Sequence, residues 1–332
     1  MKAAYLTQPH RIEMKDIRMP MPGIGEVLIR LNMVGICGSD VHLFLGHRDI
    51  SYPIIPGHEA IGYIEVLGSD VSHLKIGDRV VIEPNIACTT CKYCLSGRGN
   101  ICVNKRVIGL NQPGCFSEFV IVPSSHAWKL PDSIDDLNAV TIEPMAVALH
   151  AVSLAKAKPG DTIAVIGLGA IGLLVTHLAI ALGYKVIVTE LNKSKIKLAT
   201  DLGATASPTG DSRKLAMNWD ENNVAAVFEC AGSENTVSLA TAAAPRGSEI
   251  ILLGLSSGMA TFQPLKIVRE GISILPSIIY NHPADYVNTI ELIQTGKIHP
   301  SFIISDSMSL STLQTGLEKA ALGNDSKIVI TI

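Results

Sequence analysis

Apolar positions along the 332-residue chain follow one pattern in its first part and another in its middle. From residue 1 to about 146 they come in short runs, such as Glu26-Val27-Leu28-Ile29-Arg30 and Arg79-Val80-Val81-Ile82, bounded by Gly, Pro and Asp. Runs of this kind predict a mostly β region with intervening loops. From about 147 to 280, strand-like runs at Ile163 to Ile166, Val186 to Val188, Ala226 to Glu229 and Ile250 to Leu253 alternate with helical stretches. That alternation predicts βαβ units and a parallel sheet, and right-handed crossovers then require a doubly wound α/β fold. After Tyr280, a helix over Asp285 to Thr295 places Tyr286, Ile290, Leu292 and Ile293 on one face, and the chain ends in a strand, Lys327 to Ile332. No internal repeat, low-complexity tract or linker-like run separates these regions, so closely coupled domains are expected.

One stretch, Thr162 to Tyr184, carries no formal charge and is long enough to span a bilayer, which takes about 20 apolar residues. Gly167, Gly169 and Gly172 interrupt it early and divide it into a short strand and a helix, so no membrane segment is expected. The opening Met1-Lys2-Ala3-Ala4-Tyr5 runs into Gln8, His10 and Arg11 without an apolar signal core. Hydrophobic residues at 47% and charged residues at 17% mark a globular chain of two-domain size. A net charge of -3, with scattered lysines and arginines, leaves no basic footprint for nucleic acid or an anionic membrane. A soluble, cytoplasmic protein is the expectation.

The strand Ile163-Ala164-Val165-Ile166 leads into Gly167-Leu168-Gly169-Ala170-Ile171-Gly172, a GxGxxG loop that opens a helix. Alone that motif is weak. Following a strand and preceding a second one that ends at Thr189-Glu190, it predicts a dinucleotide site on Gly167, Gly169, Ala170, Ile171 and Gly172. The free N–H groups of the helix start face the phosphates. Glu190, 18 residues beyond Gly172, is placed to grip ribose hydroxyls and repel a 2′-phosphate, which favours NAD. Lys193, Lys195 and Lys197 temper that preference, since a nearby cation accommodates an extra phosphate.

Four of the seven cysteines, Cys88, Cys91, Cys94 and Cys102, follow a C-x2-C-x2-C-x7-C spacing. In a chain without a secretion signal, such crowding points to metal and not to disulfides. Four thiolates suit a closed tetrahedral zinc with a structural role. An iron–sulfur cluster also takes four cysteines.

Three further segments carry ligand chemistry: Cys37-Gly38-Ser39-Asp40-Val41-His42, Gly57-His58-Glu59 and Glu143-Pro144-Met145. Each alone has an ordinary explanation, as a small buried hydrophobe, a hydrogen-bonded histidine or a helix-entry residue. Together with the Gly77-Asp78-Arg79-Val80 turn, the four-cysteine lobe and the glycine loop, they resemble the zinc-containing medium-chain dehydrogenase/reductase family. The resemblance is strongest to its sorbitol, threonine and butanediol dehydrogenase branch.

That resemblance implies a GroES-like, mostly β catalytic domain over 1–146 and 281–332, with a zinc lobe at 88–102, and a Rossmann NAD-binding domain over 147–280. It implies two zinc ions per chain. Cys37 and His58 hold the catalytic one, with Glu59 as third ligand or exchangeable partner. Glu143 matches a polyol-type variant, in which the carboxylate holds the metal's water or binds the metal itself. Ser39 and His42 match a proton relay, and Asp40 orients His58 through its second nitrogen. The implied reaction is zinc-dependent hydride transfer between NAD and a secondary alcohol or polyol, with L-threonine or 2,3-butanediol as alternative substrates. Ile279 stands where polyol members often carry arginine, which weakens the sorbitol assignment. A homodimer or homotetramer is implied, with a small-molecule substrate and neither nucleic acid nor membrane as partner. His47, His150, His177, Cys115 and Cys230 are expected to be structural. A non-catalytic nucleotide binder on the same fold is the competing class, because fold alone does not establish function.

Overall fold

The computed structural model describes residues 1–48, 50–208 and 211–332. The chain divides into two compact units: Met1–Glu143 with His282–Ile332, and Pro144–Asn281.

In the first unit the ten-residue strand Glu26–Gly35 is the spine of a seven-stranded sheet. Along one edge it pairs antiparallel with Glu59–Leu67. Its other edge is shared by Phe119–Pro123, opposite Glu26 to Arg30, and by the C-terminal strand Lys327–Thr331, opposite Met33 to Gly35. Ile29, Leu31, Val34, Val80, Ile82, Phe116, Val122, Ile328 and Ile330 pack into one buried core. That burial is what holds a chain segment from the far end of the sequence against the strand that precedes Cys37.

The second unit contains six parallel strands in the spatial order Thr205–Ala206, Lys185–Thr189, Thr162–Ile166, Val224–Glu229, Glu249–Leu252 and Ser273–Pro276. The first strand in sequence lies mid-sheet and its neighbours lead off in opposite directions, the doubly wound order that creates a ligand crevice at strand ends. All five residues of Thr162–Ile166 are buried, so the strand reads as a continuous apolar run without alternation. The uncharged stretch from Thr162 becomes this strand and the helix Ala170–Ala181, as its glycines predict. Among the described residues no helix is long and apolar enough to cross a membrane.

The helix expected after Tyr280 spans Ala284–Gln294, and Asp285, Tyr286, Thr289 and Ile293 are its buried positions. Leu292 is only half-buried, and the polar Asp285 and Thr289 take part of the inner face. The Thr289 hydroxyl donates to the Asp285 carbonyl at 2.6 Å, which is how a buried hydroxyl is tolerated there.

Candidate active site and metal centres

Cys37 follows the spine strand directly and starts the short helix Gly38–Phe44. Asp40, on that helix, is buried and joins two segments: Oδ2 accepts from the Cys37 amide at 2.9 Å and Oδ1 from the Gly57 amide at 3.0 Å. Gly57 has φ +93°, and a Cβ there would stand 2.9 Å from the Phe116 ring, so only glycine turns the chain to deliver His58. Asp40 Oδ1 is 3.6 Å from His58 Nδ1, too long for a hydrogen bond, and that buried nitrogen has no hydrogen-bond partner. Ser39 Oγ lies 3.3 Å from the other ring nitrogen, Nε2. Burial opposes charge on His58, but Asp40 and Cys37 outweigh it and hold its pKa well above the usual histidine value.

Glu59 is 1% exposed, and both of its oxygens accept from Lys327 Nζ, at 2.7 and 2.6 Å. Lys327 is itself buried and also donates to the Ile36 carbonyl at 3.1 Å. Sheet pairing explains the meeting, because Gly35 is flanked by Glu59 on one neighbouring strand and Val329 on the other. Gly35 leaves the necessary room: a Cβ there would lie 2.3 Å from Glu59 Oε2. Sequence reading missed Lys327, whose only signal is a lysine opening an apolar strand.

One ligand atom each from Cys37, His58 and Glu59 falls within 4.8 Å of the others. Glu143 stands outside that group, but its charge is felt together with theirs. Burial first, then Glu59 and Glu83, push the Glu143 carboxyl up to about 7 against the pull of His58 and Lys327. His42 is exposed on the same short helix as Ser39, with Nδ1 3.4 Å from Nδ1 of His47. Its pKa is lowered by desolvation and by the neighbouring His47 and Arg48.

In the lobe, Cys88, Cys91, Cys94 and Cys102 bring their sulfurs within 4.8 Å of one another. The separations Cys88–Cys94, Cys91–Cys94 and Cys91–Cys102 are 3.9, 3.5 and 3.9 Å. A tetrahedron with Zn–S bonds of about 2.3 Å has edges of about 3.8 Å, so these residues fit a closed zinc site. The Thr90 amide holds Cys88 down to about 5, while desolvation and the adjoining thiols push Cys94 up to about 12. Sulfurs this close share protons, and a metal would displace them. Cys94→Ser is expected to remove one zinc per chain and open the lobe to proteolysis, measured by metal analysis and limited digestion.

Cys115 lies buried, and burial pushes its thiol up to about 12; Cys230 is only half-buried by surface exposure, but desolvation of its thiol raises its pKa as well. Neither is expected to react with an alkylating reagent until the protein unfolds, which peptide mapping of the native protein checks.

In the second unit, Gly167 has φ +85° and closes the turn, and a Cβ on Gly172 would sit 1.9 Å from the Gly167 carbonyl oxygen. Gly169 is the N-cap of Ala170–Ala181, with no side-chain cap on the free amides. Glu190 Oε2 accepts from the Leu168 amide of this loop at 2.7 Å, and Oε1 from Leu191 and Asn192 at 2.7 and 3.0 Å. The carboxylate is thereby fixed at the strand end beside the glycine loop. Lys195 is half-buried in the first turn of the following helix, which Asn192 caps.

Two family descriptions match the chain, an alcohol dehydrogenase GroES-like domain over residues 23–132 and a zinc-binding dehydrogenase over 170–295. The zinc-type alcohol dehydrogenase-like protein YdjJ of Escherichia coli K12 is 34% identical, aligned over 96% of this chain and 94% of its own. The chain belongs to the zinc-type alcohol dehydrogenase family. The sorbitol dehydrogenase of Bacillus subtilis is 30% identical over 96% of this chain and 93% of its own. A solved structure of the E. coli alcohol dehydrogenase RspB in complex with NADH superposes with a TM-score of 0.93, at 27% identity, covering 100% of this chain and 99% of that one. A zinc-type alcohol dehydrogenase is an oxidoreductase of CH–OH groups, and the GroES-like plus Rossmann architecture expected from the sequence is the one found. The matching family is described as a zinc-binding dehydrogenase, which favours zinc over an iron–sulfur cluster for the four-cysteine lobe.

Proposed function

We propose that this enzyme oxidises a secondary alcohol of a small polyol to the ketone with NAD, using Cys37, His58 and Glu59 around a catalytic zinc. The observation that carries the reading is the meeting of thiol, imidazole and carboxylate ligand atoms within 4.8 Å of one another in the first unit. A Cys/His/carboxylate set leaves one coordination position open for substrate. When bound, zinc supplies Lewis-acid polarisation of the substrate hydroxyl, and the nicotinamide accepts the hydride.

The chain's own residues bind, orient and move protons. Cys37 and His58 are the firm ligands. Glu59, with both oxygens engaged by Lys327, is the exchangeable one. Glu143, a buried carboxyl within electrostatic reach of His58 and Glu59, would orient the substrate hydroxyl. Ser39 Oγ, beside His58, receives the proton released on oxidation, and the exposed His42 passes it to solvent. The four-cysteine lobe holds a second, structural zinc.

For the cofactor, the amides at Gly169, Ala170 and Ile171 and the turn at Gly167 and Gly172 receive the pyrophosphate. Glu190 grips the ribose hydroxyls, and Lys195 lies alongside. Glu190→Gln is expected to raise the KM for NAD about ten- to a hundredfold, since hydrogen bonds to a charged group contribute about 1.5–3 kcal/mol. The same change narrows the preference over NADP. Equal use of both cofactors by the native enzyme would overturn the assignment.

The activity test is NADH formation across sorbitol, xylitol, 2,3-butanediol, L-threonine and simple secondary alcohols, with zinc counted per chain. Two zinc ions and turnover of a polyol or diol support the proposal. Preferential turnover of L-threonine moves the enzyme to the amino-acid branch. One zinc and no NADH from any substrate overturns the catalytic assignment.

A further inference from the structure

Glu83, directly after the strand Arg79–Ile82, is fully buried and belongs to neither zinc constellation, although Cys88 of the lobe follows soon after it in the chain. Its Oε2 accepts from Trp128 Nε1 at 2.8 Å and lies 2.8 Å from Nδ1 of His282. Its other oxygen, Oε1, is buried with no hydrogen-bond partner at all. A buried carboxylate oxygen without a partner costs stability unless a proton or a cation satisfies it.

Two histidines flank this oxygen's carboxylate. His126 is 8% exposed, with Nδ1 3.0 Å from Ser125 Oγ, and His282 stacks on it with ring centroids 4.9 Å apart and 6° from parallel. One ligand atom from each of Glu83, His126 and His282 falls within 4.8 Å of the others. All three belong to the first unit.

We propose that Glu83, His126 and His282 form a third divalent-cation site, made of nitrogen and oxygen donors alone and suited to zinc or a similar borderline ion. Two imidazoles and one carboxylate are a known donor set for such ions, and they leave positions open for water. Trp128 and Ser125 are the outer partners that orient Glu83 and His126. The parallel rings cannot both aim lone pairs at one ion, so His282 must turn out of the stack. It is free to do so, because its side chain is 42% exposed whereas Glu83 and His126 are walled in. Turning exchanges its hydrogen bond to Glu83 for coordination. His282 is the residue at which the chain returns to the first unit, so the ion ties that return to the segment beside Arg79–Ile82 and to the start of the strand Ala127–Lys129.

The site is tested on the holoenzyme with its cysteine-held zinc in place, titrated with Co2+ at about pH 8, above the imidazole range. The expected result is one further equivalent whose spectrum shows ligand-field bands and no thiolate-to-cobalt charge transfer, unlike cobalt at either cysteine-containing site. His282→Ala, a change at a half-exposed side chain, should abolish this equivalent while the far-UV spectrum and the other two metals are retained. Trp128→Phe should weaken it about ten- to a hundredfold, the usual effect of losing an outer partner. Saturation of the native protein without a further equivalent overturns the proposal. So does an added equivalent that survives His282→Ala, or one that carries thiolate charge transfer.

Discussion

Cys37→Ser is expected to lower kcat/KM by about a thousandfold or more and to reduce bound zinc from two ions per chain to one. Polarisation by a catalytic metal contributes several kcal/mol to the transition state, and about 1.4 kcal/mol corresponds to a factor of ten. The lobe metal should remain, because its four cysteines form their own cluster in Cys88 to Cys102. Folding should survive as well, since Asp40 still accepts from the amide of residue 37, and a serine hydroxyl can replace the thiol as acceptor for the Asp40 amide at the helix start. Metal analysis and steady-state kinetics on one preparation check both halves of the expectation. Activity within tenfold of native, with one zinc lost, would show that Cys37 does not serve the reaction.

Lys327→Met should destabilise the protein by about 3–5 kcal/mol, because it leaves the Glu59 carboxylate buried and unpaired. Both partners are almost fully enclosed, at 4% and 1% exposure, so water cannot substitute for the lost ammonium. Burial itself lowers the Lys327 pKa, but Glu59 and Cys37 outweigh it and the net shift is upward. A raised lysine pKa contributes stability that is present below the unfolded value of about 10.4 and is lost as pH rises through the folded value. The penalty should therefore be constant through neutral pH and shrink only in strong alkali. Lys327→Met combined with Glu59→Gln should recover part of the loss, because no uncompensated charge remains. Denaturant midpoints of the single and double variants decide the matter. A single-variant loss below about 1 kcal/mol would mean that the pair is solvated.

Glu59 is where these two results meet. The tighter Lys327 holds both oxygens, the less the carboxylate competes for the metal, and the more firmly Cys37 and His58 define the site. Lys327→Met should accordingly slow zinc removal by a chelator in whatever fraction stays folded, while Lys327→Arg should keep native behaviour.

Much of this protein was legible before any coordinates, and the reason is range. Strand and helix periodicity, the GxGxxG turn and the C-x2-C-x2-C spacing are interactions among residues close in sequence, so the pattern itself states the geometry. The strands predicted from Ile163, Val186, Ala226 and Ile250 appear within one or two residues of their expected bounds. Gly172 needed no tertiary information either, since the atom that excludes a side chain there belongs to Gly167. The order of motifs along the chain was enough for the family, and with it the architecture and reaction class.

Tertiary structure decided what depends on strands and loops meeting from distant parts of the chain. Nothing in the sequence pairs Lys327 with Glu59, 268 residues away, until both strands are laid against the spine strand around Gly35. The same holds for His282 and Glu83, 199 residues apart, and for Asp40, whose carboxylate ties the Cys37 turn to the Gly57 turn. Local propensity encodes elements and turns. Buried charge must find its partner wherever packing places one, so the counter-ion of Glu59 and the surroundings of Glu83 were set by the folded sheet alone.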